Sequence, residues 1–321
     1  MIDSPQAVTT MERPLFSVII ATYNYGHLID RALDSLLAQT FRSFETIVID
    51  DGSTDDTAAR LENRLDQIRF IRKENGGQSS AYNKGIEIAK GRFVVILDAD
   101  DELLPDGLEK LGVAIERDGA AADTRVYYGG YQSVGLDGSV RDRPATPCPA
   151  AAAPRLKSFV ERRLTGLQHG STATPLAICR EYRYPEQLRA NTDIVFFGQV
   201  LANHPACCVD ALISRIHAHP NRSRLQLDKI LAAGLKPVDT LFDPAIIPST
   251  LMPLRSIYAA RRHRSLARML YTNGRFAEAR SHYWRAFKLQ PSSLLESGSL
   301  KKALFSIIKS GLASGVRPPP L

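Results

Sequence analysis

"VVILDADDELLPDG", residues 94–107, runs four apolar residues straight into Asp98, Asp100 and Asp101, with Glu102 behind them. Carboxylates crowded at one point repel and raise each other's pKa unless positive charge sits among them. The apolar run has the look of a buried strand, and two more upstream end the same way. "LFSVIIATYN" (15–24) stops at Thr22-Tyr23-Asn24, and "FETIVIDDGSTDDT" (44–57) stops at Asp50-Asp51 and turns at Gly52. Between them "GHLIDRALDSLLAQT" carries Leu28, Ala32 and Leu36, with their neighbours Ile29, Leu33 and Leu37, on one helical stripe. "IRFIRK" reads as a short strand, and "NGGQSSAYNKGIEIAKG" (75–91) as a glycine turn and a helix closed by Gly91. Alternating strand and helix imply an α/β layered fold with a mostly parallel sheet. Ligands of such sheets bind at the carboxyl ends of the strands, so the three polar clusters are expected to face one crevice.

The acidic cluster admits three readings. One aspartate at a strand end is commonly a turn former, but three after a buried run fit that poorly. Phosphatases of the haloacid dehalogenase type also run from apolar residues into Asp-x-Asp, yet their motif continues with Gly-Thr/Val where Asp101-Glu102 stands here. The third is a divalent cation, Mn²⁺ or Mg²⁺, bridging a diphosphate; such ions prefer oxygen ligands and take only one or two protein carboxylates.

Several segments in order, "SVIIATYN", "LLAQTF", "FETIVIDDGSTDDT", "NGGQSSAYNKGI" and "AKGRFVVILDADDELLPDGL", resemble the family 2 glycosyltransferases, inverting enzymes with the GT-A fold. The likeness is strong over 15–110 and thins over 125–225, where "YPEQLRANTDIVFFGQVL" and "RIHAHPNRSR" carry it. It implies a nucleotide-diphosphate sugar, UDP first, as donor and a glycan or lipid-linked acceptor of the cell envelope. It places Thr22 and Tyr23 against the nucleotide, Asp51 on the base, Asp98 on the ribose and Asp100 on the metal. His219, or else His217, would join the metal or diphosphate; two apart in extended chain, they share a face. Asp193 matches the catalytic base, although Thr192 stands where the family's first acid is usual. Tyr82 stands where many members have Arg, and the turn at Gly76-Gly77-Gln78 offers backbone N–H groups to substrate oxygens. A nucleotidyltransferase would need a Gly-rich phosphate loop with Arg and Lys after the first strand, and "ATYNYGHL" has none. A nucleotide-sugar-binding pseudoenzyme or a scaffold is disfavoured by the intact acids.

The expected division is a flexible N-terminus at 1–14, a GT-A domain at 15–225 and a basic helical region at 226–321. In the last, 15 lysines and arginines face five acids, so the chain's net +7 belongs there. "SLARMLYTNGRFAEARSHYWRAFKLQP" (265–291) is similar to one tetratricopeptide-type helical hairpin, and one copy forms no solenoid. "SLKKALFSIIKSGL" (299–312) sets an apolar stripe among lysines, which suits either an anionic membrane surface or docking on the protein. No nucleic-acid partner is expected. No apolar run approaches the length of a membrane span, and "MIDSPQAVTTMERP" lacks a secretory signal's basic start and apolar stretch. The four cysteines make no C-x-x-C pair and read as reduced. A cytoplasmic location follows as an expectation, peripheral at the inner face of the plasma membrane if 299–312 binds lipid.

Overall fold

The computed structural model describes residues 13–62, 64–218 and 227–292. The chain opens with β1 (Phe16–Thr22), α1 (Gly26–Leu37), β2 (Phe44–Asp50), α2 (Thr57–Glu62), β3 (Arg69–Arg72), α3 (Gln78–Ile88) and β4 (Phe93–Asp98). A two-residue strand, β5 (Glu102–Leu103), follows the acidic cluster, then α4 (Gly107–Asp118) and the hairpin of β6 (Val126–Val134) and β7 (Val140–Arg143). Next come α5 (Ala152–Val160), β8 (Thr172–Pro175), α6 (Leu176–Glu181), α7 (Thr192–Asn203) and β9 (Ala206–His217). The basic region supplies α8 (Leu227–Ala233), α9 (Lys236–Leu241), α10 (Arg255–Thr272) and α11 (Phe276–Leu289). His219 and the 299–312 segment lie outside the described residues.

Nine strands form one sheet in the order β3-β2-β1-β4-β8-β6-β9-β5, with β7 beside β6. The first four are parallel throughout, and β8, β5 and β7 join antiparallel. The continuous apolar runs are explained by burial on both faces. Val18, Ile20, Val48, Val95 and Leu97 pack on one side with α1 and α4. Their neighbours Ile19, Ile47, Ile49, Val94 and Ile96 pack on the other with α3 and α7, as period-two alternation requires. The strand register sets Thr22 opposite Asp50 and Ala21 opposite Asp98, so the polar clusters do end on one edge.

Two local expectations are corrected. Helix α3 ends at Ile88 rather than running to Gly91. Gly91 instead lets the chain pass β1, for a Cβ there would strike the backbone of Phe16 and Ser17. The stretch "DALISRIHAHPNRSR" (210–224) reads as a strand running into a polar turn, and that strand, which ends at His217, starts earlier, at Ala206. Beyond the sheet, α5 and α7 share a core with α9 and α10 through Leu156, Val195, Val238, Leu241 and Tyr258. Helices α9 and α10 of the basic region are thus packed against α5 and α7. Helices α10 and α11 turn at Asn273-Gly274 and enclose Ala267, Leu270, Ala279 and Tyr283.

Candidate active site

The floor of the crevice is the carboxyl edge of β1, β2 and β4. Thr22 is buried there, its hydroxyl without a hydrogen-bond partner among the described residues. Tyr23, the next residue, is exposed at the mouth. Asn24 then takes a left-handed turn (φ 58°) and accepts the Thr54 N–H at 2.8 Å, which ties the β1 and β2 loops together.

Asp50 and Asp51 are both buried but differently held. Asp50 accepts the Ser53 N–H at 2.9 Å and pairs with Arg72 at 3.4 Å. The Asp51 carboxylate accepts from Lys73 Nζ at 2.6 Å, Gly76 N–H at 3.0 Å and Gly77 N–H at 2.7 Å. A carboxylate has about four acceptor directions, so one remains for a ligand. The same bonds take up the Gly76 and Gly77 N–H groups, two of the three that the turn at Gly76-Gly77-Gln78 was expected to offer to substrate oxygens. Gly77 has φ 89°, and a Cβ there would strike Arg189, which donates to Gly76 O at 2.8 Å.

Asp98, Asp100 and Asp101 converge: one oxygen of each lies within 4.8 Å of the others. Asp101 is fixed by its backbone N–H to Asp98 O at 3.0 Å and by accepting the His217 N–H at 2.8 Å. Arg31 from α1 donates to the Asp100 carbonyl at 3.3 Å. An all-oxygen set of this kind fits a hard divalent cation. His217 stands outside the trio, its Nε2 2.7 Å from Glu102 Oε1, which Arg215 also contacts at 3.1 Å.

A residue the sequence analysis passed over also contacts the cluster. His169, in the loop before β8, sets Nδ1 3.3 Å from Asp98 Oδ1 and Nε2 3.1 Å from the Tyr184 hydroxyl. Its side chain is only 11% exposed. Burial pulls its pKa down, but the charge and contact of Asp98, helped by the charge of Asp193, outweigh burial and hold it above the ordinary histidine value. Tyr82, inside α3, donates to the same Asp98 oxygen at 2.6 Å. Burial first, then Asp98, pushes its phenol well above the usual value, so it remains a donor. Tyr184 stacks on Phe196 of α7 with ring centroids 4.3 Å apart, joining this wall to the helix that carries Asp193.

Asp193 is half-buried in the first turn of α7, where the helix dipole favours its charge. Its field reaches His169 and Tyr184, so the acids expected on the donor and acceptor sides flank one buried imidazole. Thr22, Asp51 and Asp98 thus stand at the carboxyl ends of β1, β2 and β4 with Asp100 just beyond and Tyr23 exposed beside them, while Asp193 is tied to them through its charge on His169. No sequence signal marked His169 beyond its place in a polar loop.

Comparison with known proteins agrees with this layout. Residues 17–162 match the family described as "Glycosyl transferase family 2". An uncharacterized glycosyltransferase of Rickettsia felis is 32% identical over 221 residues, 66% of this chain and 36% of that protein. The chain spans well under half the length of curated relatives it matches, from 10% to 36%. The crystal structure of S. aureus TarS 1-349 shares the fold with TM-score 0.60 at 19% identity, over 95% of this chain and 93% of that one. Mannosyltransferase PcManGT from Pyrobaculum calidifontis, solved with GDP-Man and Mn²⁺, does so with TM-score 0.52 at 18% identity, over 95% and 81%. The fold is therefore the expected mixed α/β, GT-A type with a helical C-terminal region. Through residues 17–162 the chain belongs to glycosyl transferase family 2.

Proposed function

We propose that this protein is an inverting glycosyltransferase that moves a sugar from a nucleotide-diphosphate donor, a UDP-sugar first, to a hydroxyl of a glycan or lipid-linked acceptor. The observation that carries it is the placement of Asp98, Asp100 and Asp101 at one strand edge of a family 2 domain, with Asp193 reaching the same buried imidazole as Asp98. The TarS fragment solved with UDP and with UDP-GlcNAc, and PcManGT with GDP-Man and Mn²⁺, support a nucleotide-sugar donor.

In this reading Tyr23 lies against the base, Asp51 accepts from its edge and Asp98 accepts from the ribose. A planar base needs a flat partner and an acceptor at its edge. Asp100 would hold Mn²⁺ or Mg²⁺ and Asp101 would shape the loop, while His219, outside the described residues, or else His217 would join the metal or diphosphate. The cation, when bound, supplies charge neutralisation for the departing diphosphate. Asp193 takes the proton of the acceptor hydroxyl as its oxygen bonds to the anomeric carbon, opposite the breaking bond to the diphosphate. The proton stays on Asp193 and the bonding pair leaves with the nucleotide.

Among the described residues no helix is long and apolar enough to cross a membrane. In this reading the acceptor belongs to the cell envelope, and 299–312, outside the described residues, either meets an anionic membrane surface or docks on the protein. A donor screen by thermal shift with Mn²⁺, followed by product analysis, tests the function. The expected result is stabilisation by a nucleotide sugar and an inverted glycoside. A retained anomeric configuration, or donor binding without transfer to any hydroxyl acceptor, overturns it.

A further inference from the structure

The family match ends at residue 162, yet the segment that launches Asp193 is held from the basic C-terminal region. Arg262 of α10 is buried, 5% exposed. Its Nη1 donates to Asn191 Oδ1 at 2.9 Å, its Nε to Gly234 O at 2.8 Å and its Nη2 to Ile230 O at 3.0 Å. Among the described residues these acceptors are all neutral. A buried cation without a carboxylate is expensive and persists only where its hydrogen bonds are well made. The flat guanidinium fork meets three diverging acceptors, which a lysine ammonium cannot reproduce.

Asn191 is the residue before α7 and is left-handed, φ 62° and ψ 27°. An asparagine there ordinarily turns its side chain back to accept a helix N–H. Here it makes no such bond; the amide oxygen goes to Arg262 instead. On the other side, Arg189 donates to Gly76 O on the donor-side glycine turn. Residues 189–191 are therefore pinned between the donor turn and α10, two residues ahead of Asp193. Tyr258, one helical turn before Arg262 on the same face of α10, is also buried on this side. Burial pushes its phenol up to about 12, with Arg262 and Arg261 opposing and the charge of Asp193 adding.

We propose that Arg262 is a positioning residue for the base. By holding Asn191 in its left-handed conformation it sets the direction in which Asp193 enters the crevice, which makes the basic helical region part of the catalytic unit. The inference rests on Asp193 being the base.

Asn191→Gly tests it, because glycine keeps the left-handed backbone and removes only the acceptor. Transfer at saturating substrate is measured beside donor affinity and melting temperature, for Asn191→Gly, Arg262→Lys, the double variant and Asp193→Asn. Loosened aim at the base is expected to lower kcat in each single variant by roughly ten- to a hundredfold. Donor affinity should stay within about twofold, and the double variant should be no worse than the singles because the two residues act as one unit. Wild-type kcat in Asn191→Gly overturns the proposal. So does a loss of donor affinity in step with kcat, the mark of general damage. Should Arg262→Lys fail to fold, Asn191→Gly alone decides. Full activity in Asp193→Asn instead removes the base assignment, and the two failures are thereby told apart.

Discussion

Tyr82 hands its hydroxyl hydrogen to Asp98 across 2.6 Å from inside the core, while His169 approaches the same oxygen at 3.3 Å. The phenol is the shorter of the two contacts, and its ring is fully enclosed. Hydrogen bonds to charged groups contribute about 1.5–3 kcal/mol. Tyr82→Phe keeps the packing and removes the bond, so Asp98 should swing out of aim. Donor affinity by calorimetry is expected to fall about tenfold or more. An unchanged affinity would show that Tyr82 only fills space.

Asp100 is expected to carry the response to metal. In the wild type, UDP should bind more tightly as Mn²⁺ is added, and Asp100→Ala should lose that dependence. Titrations with and without Mn²⁺ read it directly. A variant whose metal response survives would move the cation to Asp98 or Asp101.

Asp193→Asn keeps the side-chain shape but cannot take a proton. General-base catalysis typically contributes about a hundred- to ten-thousandfold. Transfer should drop by about that factor while donor affinity holds, a loss confined to the transition state. Turnover close to wild type would make Asp101 the next residue to test.

The α10–α11 hairpin should weaken in acid. His263 and His282 meet with their Nδ1 atoms 2.8 Å apart. Burial, then the charges of His282 and Arg285, push His263 down to about 4. Burial, then Arg285, lowers His282 too, with Glu278 opposing and Arg262 adding. Both rings therefore fold neutral. The unfolded histidines take up protons below about pH 6.5, and folded His263 does so only near 4. Stability is thus full above about pH 6.5 and is lost as pH falls from there toward 4. Trp284, the chain's one tryptophan, sits on α11 and reports the hairpin. Its urea midpoint should fall between pH 7.5 and pH 5, and His263→Phe should flatten the trend. An equally steep fall in that variant would assign the effect elsewhere.

The parallel half of the sheet was legible because burial on both faces writes itself as unbroken apolar runs, and Asp50 and Asp98 mark where those runs stop. The rest was hidden for physical reasons. His169 meets Asp98 across 71 residues of sequence, and a lone histidine in a polar loop has no periodic context. Tyr82 reads as an ordinary core aromatic, which its ring is; only its hydroxyl is functional. Arg262 and Arg264 read as the wet face of a basic helix, yet both are buried. Strand β5 has two residues and no pattern at all.

That shortest strand governs when the site comes into being. Glu102 and Leu103 pair with Arg215 and Ser214, and Asp101 is clasped by His217, 116 residues further on. Strands β1, β2 and β3 pair across 22 to 28 residues of chain and can form early, and β4 joins β1 across 77, whereas contacts across the still longer loop to β9 carry the larger closure entropy and form late. A growing polypeptide that has not yet reached residue 217 carries the three aspartates but not the clasp that fixes their loop. The mutual repulsion of those acids is then relieved by spreading into water. The three aspartates are brought to their final arrangement at the end of folding, after the scaffold around them is set.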